Sequence, residues 1–93
     1  MVRRFGDLLK IKYGVDLVTE LEWLDIFGDN LADLLKYAHM TQRDLADAAG
    51  ISESVISDYI HKRKMPGLRA VINISYALGC SIDDLIDFEE MIE

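Results

Sequence analysis

The sequence predicts an all-α fold with a single domain, and three observations support that prediction. Between Leu24 and Ala38, apolar residues recur every three or four positions, which is the spacing of one face of an α-helix. Serine, threonine, proline and glycine stand at the borders of the segments that follow, where helices begin and end. The chain has 93 residues, 51% of them hydrophobic, which is enough for one compact core and too few for two ordinary domains.

The first helix is predicted to end near His39, and its start has two interpretations. Thr19, followed three residues later by Glu22, has the pattern of a capping box. Gly28 and Asp29 are equally compatible with a later start. Both interpretations stay open from the sequence.

The segment before this helix has no clear pattern. Residues 8–18 alternate weakly between apolar and polar, which is compatible with a strand, a hairpin arm or a disordered leader. We therefore divide the chain into an N-terminal extension of uncertain structure, a helical domain and an acidic C-terminal tail: residues 1–23, 24–88 and 89–93.

Four further helices are predicted from their caps. Thr41, Ser52 and Ser81 each offer a hydroxyl oxygen that can accept from the backbone N–H groups of a following first turn. Gly50 and Gly79 suit the left-handed conformation that ends many helices. The predicted helices run from Gln42 to Ala49, from Ser52 to about His61, from Leu68 to Leu78 after Pro66, and from Ser81 through Ile86.

The net charge of −7 argues against a protein that binds nucleic acid without regard to sequence, because such affinity comes from neutralising phosphates. The charges are segregated along the chain, however. Residues 16–38 carry −5 and residues 70–93 carry −6, whereas residues 39–69 carry +1 and residues 1–15 carry +3. The acidity therefore lies mainly outside the central segment, and the basic start could be an arm along DNA, a contact to an acidic partner chain or a mobile terminus.

Several other classes of protein are disfavoured. A single cysteine, Cys80, excludes an intrachain disulfide and fits a cytoplasmic protein, and no segment is long enough to span a membrane. His39, His61 and Cys80 are too far apart for a recognisable metal motif, so we expect neither a metal nor a cofactor. Ser57, Asp58 and His61 have the residue types of a hydrolytic triad, but neighbouring side chains diverge on a helix. We therefore expect no enzymatic activity.

The most informative stretch, residues 41–61, is typical of two short helices joined by a tight turn. Ala46 is small where the helices would cross, and Gly50 can take a positive φ at the turn. The predicted inward-facing residues of this stretch are Leu45, Ala49, Ile51, Ile56 and Tyr59.

This pattern resembles the lambda-repressor-like, or XRE, helix-turn-helix family of transcriptional regulators, over residues 27–87. The matching residues are Thr41-Gln42, Leu45-Ala46, Gly50-Ile51-Ser52, Ile56-Ser57 and Pro66, and residues 77–85 resemble the last two helices of that family. The resemblance implies a compact five-helix bundle in which the helix from Ser52 to His61 lies in the DNA major groove and the preceding helix bridges the backbone.

The predicted DNA contacts fall into two groups. Exposed side chains along one edge of the recognition helix are the candidate base readers: Glu53, Ser54, Ser57, Asp58 and His61. The resemblance places Gln42 and Ser52 at positions that contact phosphate, although Ser52 could serve as a cap alone. Lys62, Arg63 and Lys64 follow the recognition helix and can neutralise phosphates, the alternative being a solvated loop. The glycine that family members often carry before this basic cluster is absent.

These observations favour a sequence-specific regulator of transcription, acting as a repressor and as a homodimer on double-stranded DNA, because two-fold symmetry doubles the few base contacts of one module. A second hypothesis is a protein-interaction module on the same fold, such as an adaptor, an anti-repressor or an antitoxin-like subunit, whose acidic surface binds a basic protein. Trp23, Leu24 and Phe27 fit core packing better than a dimer surface or a ligand contact.

Overall fold

The computed structural model describes residues 19–86, and within them every regular element is an α-helix. The helices are α1 (Glu20–Ala38), α2 (Gln42–Ala49), α3 (Glu53–Ile60), α4 (Leu68–Leu78) and α5 (Ile82–Leu85). The predicted all-α fold is confirmed. The predictions for residues 1–18, including the basic start, and for the acidic tail at residues 89–93 lie outside the described residues, and the division of the chain at residues 24 and 88 stays a prediction.

The capping box at Thr19 marks the start of α1. The Thr19 hydroxyl accepts from the Glu22 backbone N–H at 3.1 Å, and the Glu22 carboxylate accepts from the Thr19 backbone N–H at 3.0 Å. Gly28 lies in the interior of the helix and is buried. The earlier of the two predicted starts is therefore confirmed. The helix ends as predicted at His39, which takes a left-handed φ of 56°.

The caps of the remaining helices follow the predictions closely. Thr41, Ser52 and Ser81 each accept a hydrogen bond from the backbone N–H three residues on. Gly50 and Gly79 end α2 and α4, both at a φ of 70°. Local chemistry thus sets the bounds of these helices to within about one residue of the predicted positions.

The core lies where the five helices meet. The side chains that lose all or nearly all contact with solvent come from every helix: Phe27, Leu31, Leu45, Ile56, Ile74 and Leu85. Helix α1 packs against α3 and α5, while α2 packs against α3 and α4. Phe27 also contacts two aromatic rings, Trp23 at 5.4 Å and Tyr59 at 5.6 Å between centroids. Phe27 is thus a core residue, as expected, with Trp23 packed against it.

A polar contact joins the first and last helices of the described residues. The side-chain amide of Asn30 donates to the Leu85 carbonyl at 2.9 Å, across 55 positions of sequence. This bond holds the short helix α5 against the middle of α1. No helix within residues 19–86 combines the length and the apolar character needed to cross a bilayer.

Candidate nucleic-acid interface

Helices α2 and α3 form a unit joined by a three-residue turn. Gly50 adopts a left-handed conformation, and the backbone N–H groups of Gly50 and Ile51 both donate to the Ala46 carbonyl. Ala46 is 6% exposed, as its predicted place at a helix crossing requires. Because α3 buries Ile56 and Tyr59 against the core, its opposite face is turned towards solvent.

The five predicted base readers lie on that outer face. Glu53, Ser54 and His61 are exposed, and Ser57 and Asp58 are half-buried. The Ser54 hydroxyl lies 3.3 Å from the Ser52 hydroxyl, and His61 Nδ1 lies 2.9 Å from the Ser57 carbonyl oxygen. The Ser57 hydroxyl lies 3.3 Å from the same nitrogen, so Nδ1 can donate to the carbonyl or accept from the hydroxyl, according to which ring nitrogen carries the hydrogen.

Asp58 pairs with Arg63, a contact that the sequence did not predict. The Arg63 Nε donates to Asp58 Oδ1 at 3.0 Å, and the Arg63 backbone N–H donates to the Asp58 carbonyl at 2.8 Å. The pair neutralises a carboxylate on the face of α3 that was predicted to approach DNA. The Nη groups of Arg63 can still donate, because only Nε is used by Asp58.

Lys62 departs most from the predicted arrangement. Its φ of 64° turns the chain sharply after α3, and its ammonium lies 2.8 Å from Asp29 and 3.5 Å from Asp25, both on α1. The hydrogen bond to Asp29 and the charges of both carboxylates raise the pKa of Lys62. Of the three consecutive basic residues, Lys64 alone has no ion pair with any residue in the range 19–86.

The positions expected to contact phosphate lie at two helix N-termini. The Ser52 hydroxyl accepts from the Val55 backbone N–H at 3.3 Å, so it caps α3. Gln42 is half-buried in the first turn of α2, where Asp44 accepts from the backbone N–H of Thr41 at 3.0 Å. Hydrogen bonds from the backbone and the hydroxyl of Thr41 lower the pKa of Asp44. A carboxylate therefore stands beside the end of α2 that the resemblance assigns to phosphate.

Neither a triad nor a metal-binding cluster is assembled by the described residues. His61 contacts Ser57, but Asp58 is engaged by Arg63 instead of His61. Within residues 19–86, histidine, cysteine and carboxylate side chains form no group of three that could hold a metal ion. Cys80 is half-buried, and burial raises the pKa of its thiol, which disfavours the nucleophilic thiolate.

Comparison with known proteins identifies the same helical unit. The HTH_3 family model, described as Helix-turn-helix, matches residues 31–85. An uncharacterised HTH-type transcriptional regulator, YqaE of Bacillus subtilis (strain 168), is 33% identical over 64 residues. That alignment covers 69% of this chain and 55% of the relative, so the chain spans about half the length of that protein.

Three solved structures share the fold. The regulator ClgR of C. glutamicum is 25% identical with a TM-score of 0.68, covering 76% of this chain and 94% of its own. The restriction-modification controller protein C.AhdI of Aeromonas hydrophila is 22% identical with a TM-score of 0.65, covering 67% and 94%. The hypothetical transcription factor NHTF of Neisseria is 20% identical with a TM-score of 0.69, covering 83% and 91%. These likenesses confirm the lambda-repressor-like fold.

Proposed function

The chain belongs to the helix-turn-helix family, and on this premise we propose that it is a sequence-specific DNA-binding regulator of transcription. The observation that supports the proposal most is the α2–turn–α3 unit, whose recognition helix has one face anchored in the core by Ile56 and Tyr59. The outer face of α3 carries polar side chains that can exchange hydrogen bonds with base edges in the major groove.

We propose distinct roles for the polar residues of this surface. Glu53, Ser54, Ser57, Asp58 and His61 read bases. A carboxylate such as that of Glu53 can accept from the amino group of cytosine, and a serine hydroxyl can donate or accept. Asp58 enters this set as part of a pair with Arg63, which lowers the electrostatic cost of bringing its carboxylate near phosphates.

Phosphate contacts supply affinity without sequence information. We assign them to Gln42 and Ser52 at the N-termini of α2 and α3, and to the basic residues Arg63 and Lys64 after α3. Lys62 was predicted to share this role, but its ammonium is paired with Asp25 and Asp29 of α1, so it is left out of this set.

A homodimeric repressor in the cytoplasm is the form of regulator that we propose. One module of this size presents few base contacts, and a two-fold dimer on a palindromic or repeated site doubles them. Family membership gives no reason to expect catalysis, and none of the proposed roles requires a cofactor.

The test of this proposal is the salt dependence of duplex binding in single variants. Arg63→Gln and Lys64→Gln should each weaken binding to every sequence and reduce the slope of log K against log salt by about 0.9. Glu53→Gln should alter the preferred sequence with no change in that slope. Lys36→Gln removes the same charge from the last turn of α1 and serves as the control. Unchanged affinity in both Arg63→Gln and Lys64→Gln would count against the proposal.

The acidity of the chain favours a second candidate function. Exposed carboxylates on α1 include Glu20, Asp25, Asp29 and Asp33, in a chain of net charge −7. This surface could bind a basic protein, as in an adaptor, an anti-repressor or an antitoxin-like subunit. Variants that remove acidic charge from α1 separate the two functions: Glu20→Gln with Asp33→Asn should weaken binding to a basic protein and leave specific duplex binding in place.

A further inference from the structure

Lys62 lies in a position that couples the end of the recognition helix to α1. Its backbone N–H donates to the Tyr59 carbonyl at 3.1 Å, which closes the last turn of α3. Its left-handed φ of 64° then directs the side chain away from the outer face of α3 and back to α1. There its ammonium lies 2.8 Å from Asp29 and 3.5 Å from Asp25.

The backbones of α1 and α3 are also unusually close at this point. A Cβ added to Gly28 would lie 2.8 Å from the Tyr59 carbonyl oxygen and 3.2 Å from that of Ile60. The same Cβ would lie 3.0 Å from Lys62 Cγ, so the aliphatic stem of Lys62 crosses α1 directly over Gly28. Asp25 and Asp29 are four residues apart on one face of α1, and Gly28 borders that face because it lies three residues after Asp25.

The surroundings of the Lys62 ammonium disfavour a phosphate contact. Two carboxylates already face it, and the Lys62 side chain is 35% exposed compared with 57% for Arg63. To reach a phosphate, the ammonium would have to leave both carboxylates, and those carboxylates would then repel the phosphate. The structure thus separates three consecutive basic residues that the sequence presents as one cluster.

We infer that Lys62 is a positioning residue, which ties the C-terminal end of α3 to α1 and makes no phosphate contact. The inference rests on the proposed function, because the feature positioned is the recognition helix. A helix of only eight residues reads bases consistently when both of its ends are held, and the Ser52 cap holds the other end. His61, one residue before Lys62, would be the base reader most affected.

A charge swap tests the tie without changing the net charge of the protein. Lys62→Asp and Asp29→Lys each place like charges together and should lower Tm by about 2–5 °C, the size expected for an exposed ion pair in a domain of this length. The double variant K62D/D29K restores an opposite-charge pair at positions 62 and 29 and leaves Asp25 beside an aspartate, so it should recover most, and not all, of the Tm lost in the single variants. Aspartate is well suited to position 62 because it tolerates a positive φ better than most residues. A milder double-mutant cycle uses Lys62→Gln and Asp29→Asn. The double variant should lose less Tm than the sum of the losses in the two single variants.

Duplex binding distinguishes positioning from phosphate contact. The probe is a duplex enriched from a random pool. Lys62→Gln should weaken binding to this duplex and leave the slope of log K against log salt unchanged, whereas Arg63→Gln should reduce that slope by about 0.9. The charge-swapped variant should bind within about threefold of the wild type. A slope reduced by about 0.9 in Lys62→Gln, or a swap that restores Tm and not binding, would overturn the inference.

The two proposals can fail separately. If the wild-type protein bound no duplex, the proposed function would fail, and the thermal cycles would still decide whether Lys62 ties α3 to α1. Additive Tm changes in both cycles would overturn the inference whatever the DNA result.

Discussion

Replacing Gly28 by alanine tests the close approach of α1 and α3. Gly28 lies in the interior of α1, where alanine is intrinsically favoured over glycine by about 1 kcal/mol. The added methyl group would meet the Tyr59 carbonyl oxygen at 2.8 Å and that of Ile60 at 3.2 Å. Both atoms belong to the backbone of α3, so no side-chain rotation relieves the contact.

The size of the effect follows from these two opposing terms. Overpacking of this kind costs about 1–3 kcal/mol, because the neighbouring backbone must move. With the helix propensity offset, Gly28→Ala should lower the free energy of unfolding by about 1 kcal/mol, or Tm by about 4–8 °C for a domain of this size. The forced movement of α3 should also weaken binding to a selected duplex.

Thermal unfolding followed by circular dichroism measures the change, and the control lies in the same helix. Asp33 is exposed on α1, so Asp33→Ala should be more stable than Asp33→Gly by about 1 kcal/mol. The preference for alanine at position 33 should therefore reverse at position 28. A Gly28→Ala protein more stable than the wild type by a similar amount would refute the argument from close approach.

Three further predictions concern the core and the caps. Asn30→Ala removes the donor to the Leu85 carbonyl and should cost about 0.5–1.5 kcal/mol in urea unfolding; Asn30→Asp, whose carboxylate cannot donate, should not rescue it. Leu31→Ala empties a site with 0% exposure and should cost about 2–5 kcal/mol, and a smaller loss than in Asn30→Ala would contradict the assigned core. The pKa of Asp44 is lower in the folded protein than in the unfolded chain, where it is about 3.9. The Asp44 carboxylate therefore stabilises the fold above about pH 3.9, and this stabilisation is lost as the pH falls through the lower pKa of the folded state. Acid unfolding should accordingly show the stability advantage of the wild type over Asp44→Asn shrinking below that pH, and an advantage independent of pH would exclude the Thr41 contact.

The features that the sequence predicted well are those that local chemistry determines. Thr41, Ser52 and Ser81 cap helices through hydrogen bonds to N–H groups three residues away. Gly50 and Gly79 end helices because a left-handed residue is needed there. Each of these interactions lies within one short stretch of sequence, so composition and spacing are sufficient to predict it.

The features that the sequence left open depend on residues far apart in the chain. Gly28 was a candidate helix start, but its actual constraint is the carbonyl of Tyr59, which lies 31 positions later. Lys62 and Arg63 were grouped by adjacency, and the left-handed φ of Lys62 sends their side chains to different helices. Two carboxylates four residues apart on α1 were the available signal, but the sequence does not indicate which cation they face.

Selection from random duplex DNA by the purified protein at physiological salt, read by sequencing, would decide whether the protein binds a specific sequence. We expect enrichment of a palindromic or repeated motif, with the preferred sequence changed in Glu53→Gln and retained in Lys36→Gln. A folded protein that enriches no motif would contradict sequence-specific binding and favour a basic protein as the partner of the acidic surface.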